Sequence, residues 1–329
     1  MTFRIARTSH VEYFVTDLDR ARAFYVDTIG FQETGADEQH LYLRGLEDRV
    51  HHNLVLTLAD HAGVSHVGFR VSGPDDLGSV EKWAHGLGLP YWGVPAGTEH
   101  GIGEAVRVTD PFGFPIEFFY DAQAAEWLLQ RYDCYRGANV MRLDHVNYLT
   151  PAIEACADWY QRELGFTMSE YTVSVENGRD RLWGAWLRRK QTSHDLAISN
   201  GAGPRFHHAS FIAESQTSLL RIADILAARD MVHHIERGPG RHGTTNAFFL
   251  YLRDPDGNRM ELFTGDYLAS EPDWQPVRWD LNDPRRATFW GAEAPSRWFN
   301  EAMTVYDWQN RAPVPVTQPS LPDRPASVE

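Results

Sequence analysis

Two imidazoles and one carboxylate, His145, His208 and Glu261, sit in three short apolar runs of the second half of the chain: LDHVNYL, HHASFIA and RMELF. Each run reads as a β-strand, in which side chains at i and i+2 share a face. Leu143, His145, Asn147 and Leu149 then share one face of the first strand, with Val146 and Tyr148 opposite. His208 and Ser210 share a face of the second, and Glu261 and Phe263 a face of the third. Two imidazoles and a carboxylate on three strands are the ligand set of a non-haem iron(II) site that keeps open positions for substrate and oxygen. Taken singly, each residue could be a lone polar group at a strand end. Their joint placement at equivalent points of an internal repeat favours the ligand reading, and the repeat register selects His208 over His207.

The first half carries His10, His66 and Glu117 at the corresponding points, so ligand spacing alone allows a metal in either half. Chemistry at open positions also needs acids, bases and charges nearby. Fourteen residues before His208 stands His194, ten before Glu261 stands Tyr251, and Arg237 and His242 lie in the run ERGPGRH between the two strands. The first half has His52 in place of His194, Arg107 in place of Tyr251 and Thr98 opposite His242. The second half is therefore expected to react. Plainer readings exist for each residue: His194 as a turn residue, Tyr251 and Trp186 as core aromatics, Arg237 as a loop cation paired with Glu236.

The elements that must position these groups follow from the repeat itself. HVEYF at His10 and a helical stretch ending at Phe31 answer HVNYL at His145 and a helical stretch ending at Phe166, 21 residues from His to Phe in both copies. HVGFRV at His66 answers HASFIA at His208, and DPFGFPIE at Asp110 answers DPDGNRME at Asp254. Each module runs strand, amphipathic helix, then three short strands, so the fold class is α+β, with four βαβββ modules paired into two domains. Gly30 and Gly165 read as helix C-caps, and the Asp-Pro-x-Gly segments as turns between strands. Boundaries are expected at 1–134 for a non-catalytic pair, 135–270 for a catalytic pair and 271–329 for a covering tail. A helix is expected over Ala124–Gln130, followed by a linker from Arg131 to Gly137.

Five of the eleven tryptophans, Trp274, Trp279, Trp290, Trp298 and Trp308, fall in that tail and are expected to pack on the body. The last 19 residues hold five prolines and little to bury, which reads as a mobile end. With 329 residues, 43% of them hydrophobic, the chain can bury a sizeable core. The net charge of −14 repels phosphate backbones and anionic membrane surfaces, so a nucleic-acid partner is not expected. Cys134 and Cys156 are too few for a disulfide framework. There is no signal-like apolar stretch near the start and no long apolar run, so the chain is expected in the cytoplasm, without a membrane partner.

From about His10 to Trp298 the chain resembles the type I extradiol ring-cleaving dioxygenases of the vicinal oxygen chelate superfamily. The stretches that carry this are RLDHVNYLTP, AWLRRKQTSHD, GPRFHH, ERGPGRHGTTNAFFLYLRDPDGNRMELFTGDY and RRATFWG. The resemblance implies the glyoxalase-like fold and Fe(II), or Mn(II), held by His145, His208 and Glu261. It implies His194 as acid and base, and Tyr251 and His242 as hydrogen-bonding groups near the reacting atoms. Asn147 and Trp186 would line the pocket, and Arg237 with Arg285 and Arg286 would bind a substrate carboxylate. Arg286 precedes ATFWG, one residue longer than the family pattern, so either arginine of the pair could point inward. The implied reaction is O2-dependent ring cleavage of a catechol, 3,4-dihydroxyphenylacetate, to a 2-hydroxymuconate semialdehyde by a homo-oligomer, a tetramer. Another substituted catechol, a metal-dependent isomerase or a metal-free aromatic binder are the alternatives.

Overall fold

A computed structural model describes residues 3–326. In the first half the chain runs β1 (Ile5–Val15), α1 (Leu18–Phe24), β2 (Gln32–Ala36), β3 (His40–Arg44) and β4 (Leu54–Leu58), then β5 (Gly63–Val71), α2 (Asp76–Leu87), β6 (Tyr91–Val94), β7 (Ala105–Thr109) and β8 (Pro115–Phe119). The second half repeats the order with β9 (Val140–Thr150), α3 (Ile153–Leu164), β10 (Thr167–Glu176), β11 (Arg179–Arg188) and β12 (Leu196–Asn200), then β13 (Arg205–Ala213), α4 (Gln216–Ala228), β14 (Ile235–Arg241), β15 (Phe248–Arg253) and β16 (Arg259–Thr264). The βαβββ order thus occurs four times. Gly30 and Gly165 adopt positive φ, 97° and 64°, where a Cβ would be strained, and end the helical stretches as caps.

Each half forms one mixed sheet. The first has the order β2-β3-β4-β1-β5-β8-β7-β6, and the second has β10-β11-β12-β9-β13-β16-β15-β14 at its heart. The first strands of paired modules run antiparallel side by side, β1 with β5 and β9 with β13, and each last strand lies parallel to a first strand. The three strands β9, β13 and β16 are therefore adjacent, as are β1, β5 and β8. Helices cover the outer faces, and the apolar alternation fills one continuous core from Phe3 to Val305.

The tail adds β17 (Val277–Asp280) beside β10, a short helix α5 (Pro284–Ala287), β18 (Trp290–Gly291) beside β14 and β19 (Met303–Thr304) beside β13. Trp274 donates to the Ser169 carbonyl and Trp279 to Glu170, and Trp308 packs edge-on against Trp92. Trp290 departs from expectation, with its side chain half in solvent at the sheet edge. The proline-rich end departs too. Gly203 and Thr317 bridge, Leu321 is buried, and the Pro322 carbonyl accepts from Trp183 and Asn200, so backbone acceptors that proline leaves intact dock the segment. Its last residues, 327–329, lie outside the described ones.

The helix expected over Ala124–Gln130 does not form. Its start pairs sideways instead: Ala125 N–H bonds Arg49, Ala124 bridges to Val50, and the preceding Gln123 N–H bonds Gly101. Tertiary pairing overrides helix propensity in so short a stretch. Among the described residues no helix is long and apolar enough to cross a membrane.

Candidate active site

β9, β13 and β16 bring His145, His208 and Glu261 together, all buried, with their ligand atoms within 4.8 Å of one another. His145 Nε2 lies 3.1 Å and His208 Nε2 3.4 Å from Glu261 Oε2, which also accepts from Ser210 at 2.6 Å. The ring partners fix which nitrogen faces inward. Asp144 Oδ2 accepts from His145 Nδ1 at 3.0 Å, made possible by a bulge in the β9–β13 ladder at Asp144. His207 Nε2 must donate to the Trp298 carbonyl, because a carbonyl only accepts, so His207 Nδ1 accepts from His208 Nδ1 at 2.6 Å. Both ligand histidines then turn an Nε2 lone pair toward a carboxylate. Lone pairs converging on one another are stable around a shared cation, and second-sphere acceptors of this kind are what metal-binding imidazoles use. The donor set fits a divalent metal. Burial works against charge on His145, but Asp144 and Glu261 outweigh it and push its pKa up to about 8, which is the same pull felt by a cation.

Around this cluster lies a cavity of about 920 Å³ counting its mouth, lined by Asn147, Trp186, His194, Arg237, His242, Tyr251 and Arg286 among others. His194 packs against His145 with ring centroids 3.8 Å apart and the rings tilted by 38°, and its Nδ1 meets Ser193 Oγ at 2.8 Å. Burial first, then the charges of His145 and Lys190, hold the His194 pKa well below its usual value, so the ring is neutral. Lys190 Nζ binds the carbonyls of His194 and Asp144 and so ties the β11–β12 loop to β9. Tyr251 hydroxyl donates to His242 Nε2 at 3.0 Å, while His242 Nδ1 donates to the Ala287 carbonyl. Asn147 Oδ1 is buried without a hydrogen-bond partner.

Arg237 and Arg286 are both buried, and among the described residues neither meets a carboxylate. Glu236, the sequence-adjacent candidate for pairing with Arg237, is taken by Arg259 at 2.6 Å. Arg237 leans on Trp298 and Phe249 and bonds Thr288; Arg286 lies over Trp183. Burial first, and then Arg237's charge in the case of Arg286, pulls both guanidinium pKa values down to about 10. Arg285, expected as a substrate ligand with its neighbour, instead projects outward: Asp283 caps α5 and holds the Arg285 side chain, which is 69% exposed.

Several groups at the site had no assigned role in the sequence reading, His207 entering it only as the alternative to His208. Asp144 and His207 flank the ligand histidines, and their contacts depend on bulges that alternation does not forecast. Trp183, Trp298, Phe299 and Asp323 also reach the cavity. The Trp-rich composition of the tail signalled Trp298, but nothing in the sequence signalled Asp323.

The sequence profile of the glyoxalase/bleomycin resistance protein/dioxygenase superfamily matches residues 7–118 and 142–262. A manganese-dependent 2,3-dihydroxybiphenyl 1,2-dioxygenase of Geobacillus genomosp. 3 is 33% identical over 302 residues, covering 88% of this chain and 95% of that protein. Homoprotocatechuate 2,3-dioxygenase from Arthrobacter globiformis superposes with a TM-score of 0.90 at 41% identity, over 95% of this chain and 96% of that one. An extradiol ring-cleaving dioxygenase from B. fuscum gives a TM-score of 0.93 at 37% identity, over 98% and 88% of the two chains.

Proposed function

This chain belongs to the glyoxalase/bleomycin resistance protein/dioxygenase superfamily and is an extradiol catechol dioxygenase with the vicinal oxygen chelate fold, and we propose that its substrate is a catechol with an anionic arm, 3,4-dihydroxyphenylacetate. Enzymes of this kind use Fe(II) or Mn(II), and His145, His208 and Glu261 would hold it. When bound, the metal acidifies a chelated catechol and passes electron density between the ring and O2. In this reading residues 135–270 are catalytic, 1–134 are not, and 271–329 cover the pocket. The family resemblance carries a homotetramer, which sedimentation equilibrium distinguishes from a monomer.

The observation that carries the substrate is the pair of buried, carboxylate-free guanidinia in the metal pocket. Two neighbouring buried cations are costly by desolvation and mutual repulsion. A substrate carboxylate relieves both and is held by charge-assisted hydrogen bonds. Beside His145, His194, neutral and with Nδ1 engaged by Ser193, takes a hydroxyl proton from the catechol on Nε2 and returns it as the ring opens. Tyr251 stays protonated, because burial raises its pKa, and its hydroxyl turns from His242 Nε2 to donate toward the developing oxygen charge. Asn147 Oδ1 supplies an acceptor, and Trp186 an apolar wall.

The test is steady-state turnover of anaerobically iron-loaded protein, with O2 uptake and the yellow ring-opened product followed together. We expect kcat/KM for 3,4-dihydroxyphenylacetate to exceed that for 4-methylcatechol and 2,3-dihydroxybiphenyl at least tenfold. Equal values, or preference for an uncharged diol, would discard the anionic substrate while leaving ring cleavage intact.

A further inference from the structure

The reaction leaves unused a second buried cluster of titratable groups, in the first half. β1, β5 and β8 bring His10, His66 and Glu117 together there, and the β6–β7 loop adds Glu99, where the repeat had pointed to Thr98. His10, His66 and Glu117 are fully buried, and Glu99 is nearly so. Their ligand atoms lie within 4.8 Å of one another.

Distances and orientations within the cluster resemble those of a coordination shell. His10 Nε2 is 3.1 Å from His66 Nε2 and 3.5 Å from Oε1 of both Glu99 and Glu117. His66 Nε2 is 3.5 Å from Glu99 Oε2 and 3.8 Å from Glu117 Oε2. Four donors at about 2.0–2.1 Å from a tetrahedral zinc-type ion stand roughly 3.3 Å apart, within the range of these separations. His66 Nδ1 meets Glu12 at 3.0 Å, so Glu12 orients His66 as Asp144 orients His145. Glu117 Oε1 is buried and has no hydrogen-bond partner, although it faces His10.

Arg107 stands opposite Glu117 as Tyr251 stands opposite Glu261, and its guanidinium reaches the outer oxygens of the two carboxylates. It binds Oε2 of Glu117 at 2.6 Å and Oε2 of Glu99 at 3.2 Å, while both Oε1 atoms face His10 at 3.5 Å, that of Glu99 also meeting His52 Nε2 at 2.6 Å. Glu99 and Glu117 pair with the Arg107 guanidinium and Glu12 with His66, so three carboxylates meet one guanidinium charge, an excess of two negative charges when the imidazoles are neutral. A divalent cation cancels that excess, and buried charge is otherwise costly.

We propose that the first half holds a second divalent-cation site, of zinc type, with His10, His66, Glu99 and Glu117 as its ligands. Four protein donors close the shell, so the site takes neither catechol nor oxygen and instead ties β1, β5, β8 and the β6–β7 loop together.

Cobalt(II) is the probe, because its visible bands are intense when four-coordinate and weak when six-coordinate. Metal-stripped chain titrated with Co2+ is expected to bind two equivalents, one with four-coordinate bands. Glu117→Gln binds one and loses those bands; Glu261→Gln binds one and keeps them. A wild-type capacity of one equivalent, abolished in Glu261→Gln, overturns the proposal and leaves Arg107 as the only counter-cation. Two equivalents retained in Glu117→Gln also overturns it. Should Glu117→Gln fail to fold, Glu261→Gln decides: one equivalent with four-coordinate bands supports the site, and none refutes it.

Discussion

Arg285 and Arg286 are adjacent, yet Asp283 holds the first in solvent while the second lies buried over Trp183 and faces the metal pocket. Hydrogen bonds to a charged group are worth about 1.5–3 kcal/mol, so losing one contact to a substrate carboxylate costs roughly 10- to 100-fold. Arg286→Ala should therefore lower kcat/KM for 3,4-dihydroxyphenylacetate by about that factor and for 4-methylcatechol only slightly. Arg285→Ala should change neither, and an equal loss in both variants would remove the anion site. His194→Phe should retain one metal at the reactive centre and bind catechol anaerobically, yet slow turnover about 10²- to 10⁴-fold. Wild-type turnover in that variant would exclude proton transfer by His194. The convergence of His145, His208 and Glu261 was legible because strand alternation and the repeat place them independently. The orientation of Arg286 was not, because it depends on a capping contact in a tail with no repeat to compare.

Elements hold these side chains through a buried ion pair between β14 and β16. Glu236 accepts from Arg259 at 2.6 and 3.0 Å and from Arg253 at 2.9 Å, and Arg259 in turn lies 4.7 Å below the Trp298 ring. Burial alone would raise the Glu236 pKa, but the two guanidinia outweigh it and hold it to about 2. A depressed carboxylate stabilises the fold above its unfolded value of about 4.3, and this contribution is lost as pH falls toward 2. Glu236→Gln leaves the Arg259 charge buried without a counter-charge, so it should destabilise the chain by about 3–5 kcal/mol at pH 7. Guanidinium unfolding measures this, and a shift below 1 kcal/mol would show that Arg253 and Arg259 find water instead. Alternation gave the strands of each module, but it showed neither the bulges in β14 nor that Arg253 and Arg259 take Glu236 and leave Arg237 to the pocket. Such bulges, like the lateral pairing that prevents a helix at Ala124–Gln130, are set by neighbours distant in sequence.

At the scale of the whole molecule the two halves are joined reciprocally. Tyr25 hydroxyl donates to Asp254 at 3.0 Å, and Tyr160 hydroxyl donates to Asp110 at 2.8 Å, each tyrosine five residues before its cap glycine and each aspartate in its Asp-Pro-x-Gly turn. The repeat displayed all four residues without revealing the exchange, since a tyrosine on the apolar face of a helix looks like core. Asp110 is the more informative site to alter. Its Oδ1 accepts the amides of Phe112 and Phe114 and its Oδ2 the Tyr160 hydroxyl, so asparagine can keep these bonds by donating to the phenol oxygen. Burial, partly offset by those bonds, raises its pKa to about 6, above about 3.9 in the unfolded chain. The folded state then binds the extra proton, so this group favours folding below about pH 4 and loses that advantage as pH rises through 6. Between pH 4 and pH 7 the stability of wild type relative to Asp110→Asn should fall by about 2–3 kcal/mol, read from urea midpoints of both chains in parallel. Asp254 and the histidines titrate in both chains and cancel from the difference. A difference that stays flat over this range would mean that Asp110 is ionised throughout, and that the two halves meet across a charge rather than a proton.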